Sequence, residues 1–86
     1  MTEVVLLTKG DDVLSALARR ILVSVARDHS LTVTEVAMAT ELGRMLAADA
    51  GAVTAPAIVV DGRLFAYGSV SESELREHLR QVRPGP

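Results

Sequence analysis

The chain has 86 residues, 49% hydrophobic and 23% charged, and nine basic against eleven acidic side chains leave a formal net charge of −2. That size makes one domain, burying about 60–70% of its unfolded surface, and the absence of cysteine excludes disulfides, thiolate chemistry and cysteine-based metal sites. With one lysine, scattered arginines and only Phe65 and Tyr67 to stack on a base, the chain offers no nucleic-acid footprint; Val4 to Leu7 is too short an apolar run for a signal or membrane segment, so a soluble cytoplasmic protein is expected.

Residues 4–8, Val-Val-Leu-Leu-Thr, read as a strand buried on both faces, and Lys9-Gly10-Asp11-Asp12 breaks it. From 12 to about 28, Leu14, Leu17, Ile21 and Val25 recur at helical spacing, with Val13, Leu22 and Val23 widening the stripe and Arg19, Arg20, Ser24 and Arg27 opposite. Asp11 or Asp12 is placed to cap this helix. Residues 31–38 are rich in Thr and Val and fit a second strand. A second helix starts at Ala39-Thr40, carries Leu42, Met45 and Leu46 on one side and stops at Gly51; Gly43 inside it costs up to about 1 kcal/mol.

After Thr54-Ala55-Pro56 come two β-runs, 57–60 and 63–67, separated by Asp61-Gly62, a pair that suits the type I′ turn of a β-hairpin. Ser71-Glu72-Ser73-Glu74 is a capping box for a last helix, with Val70 and Leu75 spaced as a hydrophobic staple. Leu75, Leu79 and Val82 form its buried stripe, and the domain runs over 1–83 with 84–86 a disordered tail. The order β-α-β-α-β-β-α predicts an α/β fold: a four-stranded mixed sheet, the first two strands parallel through a helical crossover, with helices on both faces. A ferredoxin-like fold would need a strand in place of the second helix.

This order, with Thr54-Ala55-Pro56 before a Val-rich strand and Gly68-Ser69 after the hairpin, resembles the thioredoxin superfamily in its small glutaredoxin-like form over nearly the whole chain. Thr8-Lys9-Gly10 is similar to that family's approach to its Cys-x-x-Cys motif, and Asp11 and Leu14 stand where the two cysteines would be. The family's reaction needs a thiolate that attacks a disulfide and a second thiol that resolves it. Thiol-disulfide oxidoreductase activity is therefore excluded.

The resemblance implies a cis Ala55–Pro56 bond beside the motif position, with the backbone of Ala55 open to an extended peptide. It also implies that Lys9, Gly68 and Ser69 could hold the charged ends of glutathione. The expected groove for a protein or peptide partner comprises Lys9, Asp11, Leu14, Ala55, Pro56, Gly68 and Ser69. The alternative is a glutathione- or small-thiol-binding protein assisting non-redox chemistry through Asp11, Thr8 or Ser15, with glutathione the one cofactor in view. Each residue has a plainer role to weigh: Asp11 as a helix cap, Lys9 as a solvated lysine, and Ser71 as the capping hydroxyl. No catalytic residue and no metal site is assigned. Phe65 and Tyr67 share one face of the hairpin's second strand; packed on the last helix they are core, and exposed they are the seam of a homodimer or a patch for another partner.

Overall fold

The computed structural model describes residues 1–10 and 12–81. Its elements are β1 (Thr2–Thr8), α1 (Val13–Ala26), β2 (Leu31–Ala37), α2 (Glu41–Ala50), β3 (Ala57–Val60), β4 (Arg63–Tyr67) and α3 (Glu72–Gln81). The sheet order is β2-β1-β3-β4, with β1 parallel to β2 and antiparallel to β3. Element order, the parallel β1–β2 pair, the hairpin and the mixed sheet are those expected from the sequence, and the structure adds that the hairpin joins through β3 beside β1. Among the described residues no helix is long and apolar enough to cross a membrane.

Because side chains alternate along a strand, β1 feeds two cores at once. Val4 and Leu6 turn to one face, where they meet Ile58 and Val60 of β3, Ala18, Ile21, Leu22 and Val25 of α1, and Leu75 and Leu79 of α3. Leu7 turns to the other, where Ala57 and Ala47 of α2 complete a smaller cluster. The hairpin turn is as expected: Asp61 and Gly62 both have positive φ, 49° and 83°. Asp61 also ties the turn to β1, its amide donating to the Glu3 carbonyl at 2.8 Å and its Oδ1 accepting from the Glu3 amide at 2.9 Å.

Three helical expectations are corrected. The inward face of α1 is Ser15, Ala18, Ile21, Leu22 and Val25, whereas Leu14 and Leu17 are exposed with Val13 and Val23. This helix has more apolar residues than the sheet can cover, and the small Ser15 and Ala18 let it sit close to β1. Asp12 is the N-cap by position but makes no side-chain cap bond; Asp11 lies outside the described residues. In α2 it is Gly43 and Ala47 that face the sheet, with Leu46 half-buried, while Leu42 and Met45 are exposed. Gly43 sits there because of a close approach: a methyl on it would overlap the Ala37 carbonyl oxygen and stand 2.7 Å from Met38 Cα. That approach is fixed by Thr40, whose hydroxyl donates to the Ala37 carbonyl at 2.7 Å and accepts from the Gly43 amide at 3.0 Å.

At the start of α3, the Ser71 hydroxyl accepts from the Glu74 amide at 3.3 Å, one half of the expected capping box. Val70 packs on the core beside the fully buried Leu75, as a staple requires. The expected Val82 contact and the tail at 84–86 lie outside the described residues. Arg76 joins α3 to α1, donating to Glu72 at 3.0 Å, to Asp28 at 2.7 Å and to the Ser24 carbonyl at 3.3 Å.

Phe65 and Tyr67 do not share a fate. The register of β3 on β4 skips Phe65, with Val59 opposite Leu64 and Ile58 opposite Ala66. Phe65 packs on the larger core and lies 5.0 Å from the His78 ring of α3, whereas Tyr67 is exposed at the sheet edge.

Two outcomes are expected from these contacts. Gly43→Ala should lower stability by about 1–3 kcal/mol through overpacking, although helix propensity alone would raise it by up to about 1 kcal/mol; urea unfolding of the two proteins decides the sign. Glu35 of β2 accepts two hydrogen bonds from Arg19 of α1, at 2.7 and 2.9 Å, and these hold its carboxyl below the ordinary range. Such a group adds stability at neutral pH that is lost as pH falls through its folded value, and exposure of both side chains keeps the effect small. Glu35→Gln should therefore be slightly less stable at neutral pH, and the difference should vanish in acid when urea midpoints are followed down in pH.

Candidate functional site

Parallel pairing of β1 and β2 brings their carboxyl ends, Thr8 and Ala37, side by side. Ligands of open α/β sheets bind outside the carboxyl ends of parallel strands. Here both chain exits and the first turn of α2 border a depression of about 370 Å³. Its wall from the first strand is Thr8, Lys9 and Gly10, and its wall from the loop before β3 is Val53, Thr54 and Ala55. Arg44 of α2 and the turn Ala37–Ala39 close it.

Each wall has a local cause. Gly10 takes a positive φ of 51°, which turns the chain sharply from β1 toward α1. The Asp12 amide donates to the Lys9 carbonyl at 3.1 Å, and the Lys9 amide donates to the Ser15 hydroxyl at 3.1 Å. Ser15 is fully buried, so it serves as an internal brace for the loop that presents Lys9. On the other side the Ala55–Pro56 bond is cis. Among the described residues the Ala55 amide has no hydrogen-bond partner, and its carbonyl has only a long one, from the Thr54 hydroxyl at 3.4 Å. The Pro56 carbonyl instead accepts from the Gly68 amide at 2.7 Å, which holds the end of β4 against this loop.

Of the residues singled out from the sequence, Lys9 and Ala55 line the depression together. Pro56 and Gly68 are joined behind it. Leu14 and Ser69 are exposed and do not line it, and Asp11 lies outside the described residues. Sequence reasoning missed Arg44, Met38 and Val53. Arg44 had a readable signal, since it follows the Thr40 cap by four residues and a parallel crossover places the start of the second helix beside Lys9. Val53 carried none, lying in a loop with no period.

The depression has an exposed apolar side chain on its wall, Val53, which is 77% accessible, and the half-buried Met38 adds a second apolar surface. Lys9 and Arg44 add two cations that make no ion pair among the described residues. The carboxylates held below their ordinary range, Glu35 and Glu77, both owe this first to hydrogen bonds from arginines and do not line the depression. No group of three His, Cys, Asp or Glu side chains among the described residues could hold a metal ion.

Two solved structures superpose on nearly all of the chain. A variant thioredoxin from Halobacterium salinarum aligns over 96% of this chain and 78% of its own, with a TM-score of 0.74 and 14% identity. Thioredoxin O2 from Arabidopsis thaliana, in its oxidized state, aligns over 95% and 75%, with a TM-score of 0.73 and 13% identity. The fold is that of the thioredoxins. No family model and no curated protein matches the sequence, so the likeness is one of architecture. This is a thioredoxin fold without a cysteine, and its first helix opens with Asp12-Val13-Leu14-Ser15 behind the loop that carries Lys9.

Ser15→Ala should cost about 1–3 kcal/mol, because it leaves the part-buried Lys9 amide without its acceptor. Chemical denaturation measures the loss, and faster exchange of the Lys9 amide would locate it.

Proposed function

We propose that this chain is a redox-inactive thioredoxin-fold module that binds an extended segment of a protein partner across the depression between Lys9 and Ala55. The observation that carries this reading is the exposure of Val53 on the wall of a depression that also holds Met38 and two cations, Lys9 and Arg44. Apolar side chains rimmed by charge mark interaction surfaces more often than solvated ones. The Ala55 amide, unpartnered among the described residues, supports the same reading, since an extended segment could pair with it by strand addition. In such a complex Val53 and Met38 would supply the apolar contacts, and Lys9 and Arg44 would favour acidic residues of the partner.

A second reading, a small-molecule site for glutathione, is favoured by one observation, the pair Lys9 and Arg44 on one depression. Both cations could take carboxylates of that ligand.

Amide NMR titration of the isotope-labelled protein separates the two, using peptides selected from an array and, in parallel, reduced glutathione. Peptide binding is expected to shift Gly10, Thr54 and Ala55, and Lys9→Glu and Val53→Asp should each weaken it by about tenfold or more. Unchanged affinity in both variants overturns the proposal. Saturable glutathione shifts at Lys9 and Ala55, lost on Lys9→Ala, would install the second reading in its place.

A further inference from the structure

A further open feature among the described residues is the outer edge of β2. The strand is seven residues long, ends the sheet and is largely exposed. In a parallel ladder the N–H and C=O of one residue turn to the same neighbour, and those of the next residue turn away. The Ser30 carbonyl accepts from the Thr2 amide at 3.0 Å and the Met38 amide donates to the Thr8 carbonyl at 2.8 Å, so the even-numbered residues of β2 address β1. The backbone groups of Leu31, Val33 and Glu35 therefore turn outward. So does the Ala37 amide, while the Ala37 carbonyl is taken by Thr40.

Both faces beside this edge are grooved and apolar. On the α1 side a hollow of about 290 Å³ is lined by Leu6, Leu22, Val23, Ala26 and Val33, with the Arg19–Glu35 pair at its rim. On the α2 side one of about 200 Å³ is lined by Val5, Thr34, Val36, Leu42 and Leu46. Val23 and Val33 are 57% and 42% accessible. A strand laid along β2 would place alternate side chains in the two hollows while its backbone met the outward groups. The segment that fits is one with apolar residues at successive positions.

Charge selects among occupants. Arg20 and Arg27 flank Val23 on α1, border a second hollow there, and make no ion pair among the described residues. A second copy of this chain paired through β2 about a two-fold axis would bring two such basic helix faces together across the seam. An acidic segment would instead neutralise them. Glu3 borders the α2-side hollow, so the acidic residues belong on the α1 side.

We infer that the outer edge of β2 is a docking strip for an extended segment of another protein, apolar at its centre and acidic at its flanks.

The test uses the whole chain and the peptide acetyl-Asp-Asp-Val-Ile-Val-Ile-Val-Asp-Asp-amide, with a second peptide carrying Lys for Asp. The acidic peptide should give saturable NMR shifts and slowed amide exchange at Leu31, Val33, Glu35 and Ala37. Val33→Pro deletes an outward N–H and leaves the β1 ladder intact, so it should abolish binding with the circular dichroism spectrum unchanged. Arg20→Glu combined with Arg27→Glu, on the exposed helix surface, should weaken the acidic peptide by about tenfold and strengthen the lysine peptide; this pair carries the test if the proline variant does not fold. The proposal is overturned by absence of saturable binding, by shifts confined to Gly10, Thr54 and Ala55, or by preference of the unaltered protein for the lysine peptide. A dimer of the protein alone that either variant dissociates would also overturn it, by giving the strip to a second copy.

Discussion

Val4 and Leu6 of β1 stand between Val33 and Glu35 of β2 on one side and Val60 and Ile58 of β3 on the other, and almost every other contact is arranged around that central strand. Its position supplies side chains to both cores, and its parallel pairing with β2 sets two chain exits at one end of the sheet. The depression between Lys9 and Ala55 follows from that pairing, because two loops that leave neighbouring parallel strands and turn into helices cannot fill the space between them. The open edge of β2 follows from it too, since a strand whose partner lies on one side only must present its alternate backbone groups on the other.

The path of the chain was legible wherever a residue type answers to one local geometry. Asp61-Gly62 specified the hairpin because both residues tolerate positive φ, and Ser71 with Val70 and Leu75 marked the start of α3 through a cap and a staple. The faces of the helices were less legible. In α1 the apolar residues extend round most of the helix, so periodicity admits several inward stripes, and the small Ser15 and Ala18 won because they allow close approach to the sheet. In α2 Gly43 counted as a propensity cost, yet the nearby Ala37 carbonyl makes it the residue that permits the helix to dock. Tertiary contact overrode local preference in both cases.

The site was legible by subtraction and then only in part. Absence of cysteine removed the thiol chemistry of the fold directly from composition. Lys9 and Ala55 were recoverable because each belongs to a segment of recognisable pattern, Thr8-Lys9-Gly10 and Thr54-Ala55-Pro56. Arg44 was within reach through the Thr40 cap and the parallel pairing, whereas Val53 lies in a loop whose nearness to Lys9 appears only after the sheet closes. Ser15 is a related case: a hydroxyl in the first turn of a helix is unremarkable in sequence, and its burial against the Lys9 amide is a property of the assembled loop.

The latch between Glu3 and Asp61 spans 58 residues of sequence. The hairpin and α3 can be organised from neighbouring residues, but β1 reaches its place beside β3 only after most of the chain has been closed into a loop. Closure entropy and high contact order both slow such a step. The central strand of the finished molecule thus holds one of the most distant pairings in the sequence, the one whose closure costs the chain most entropy.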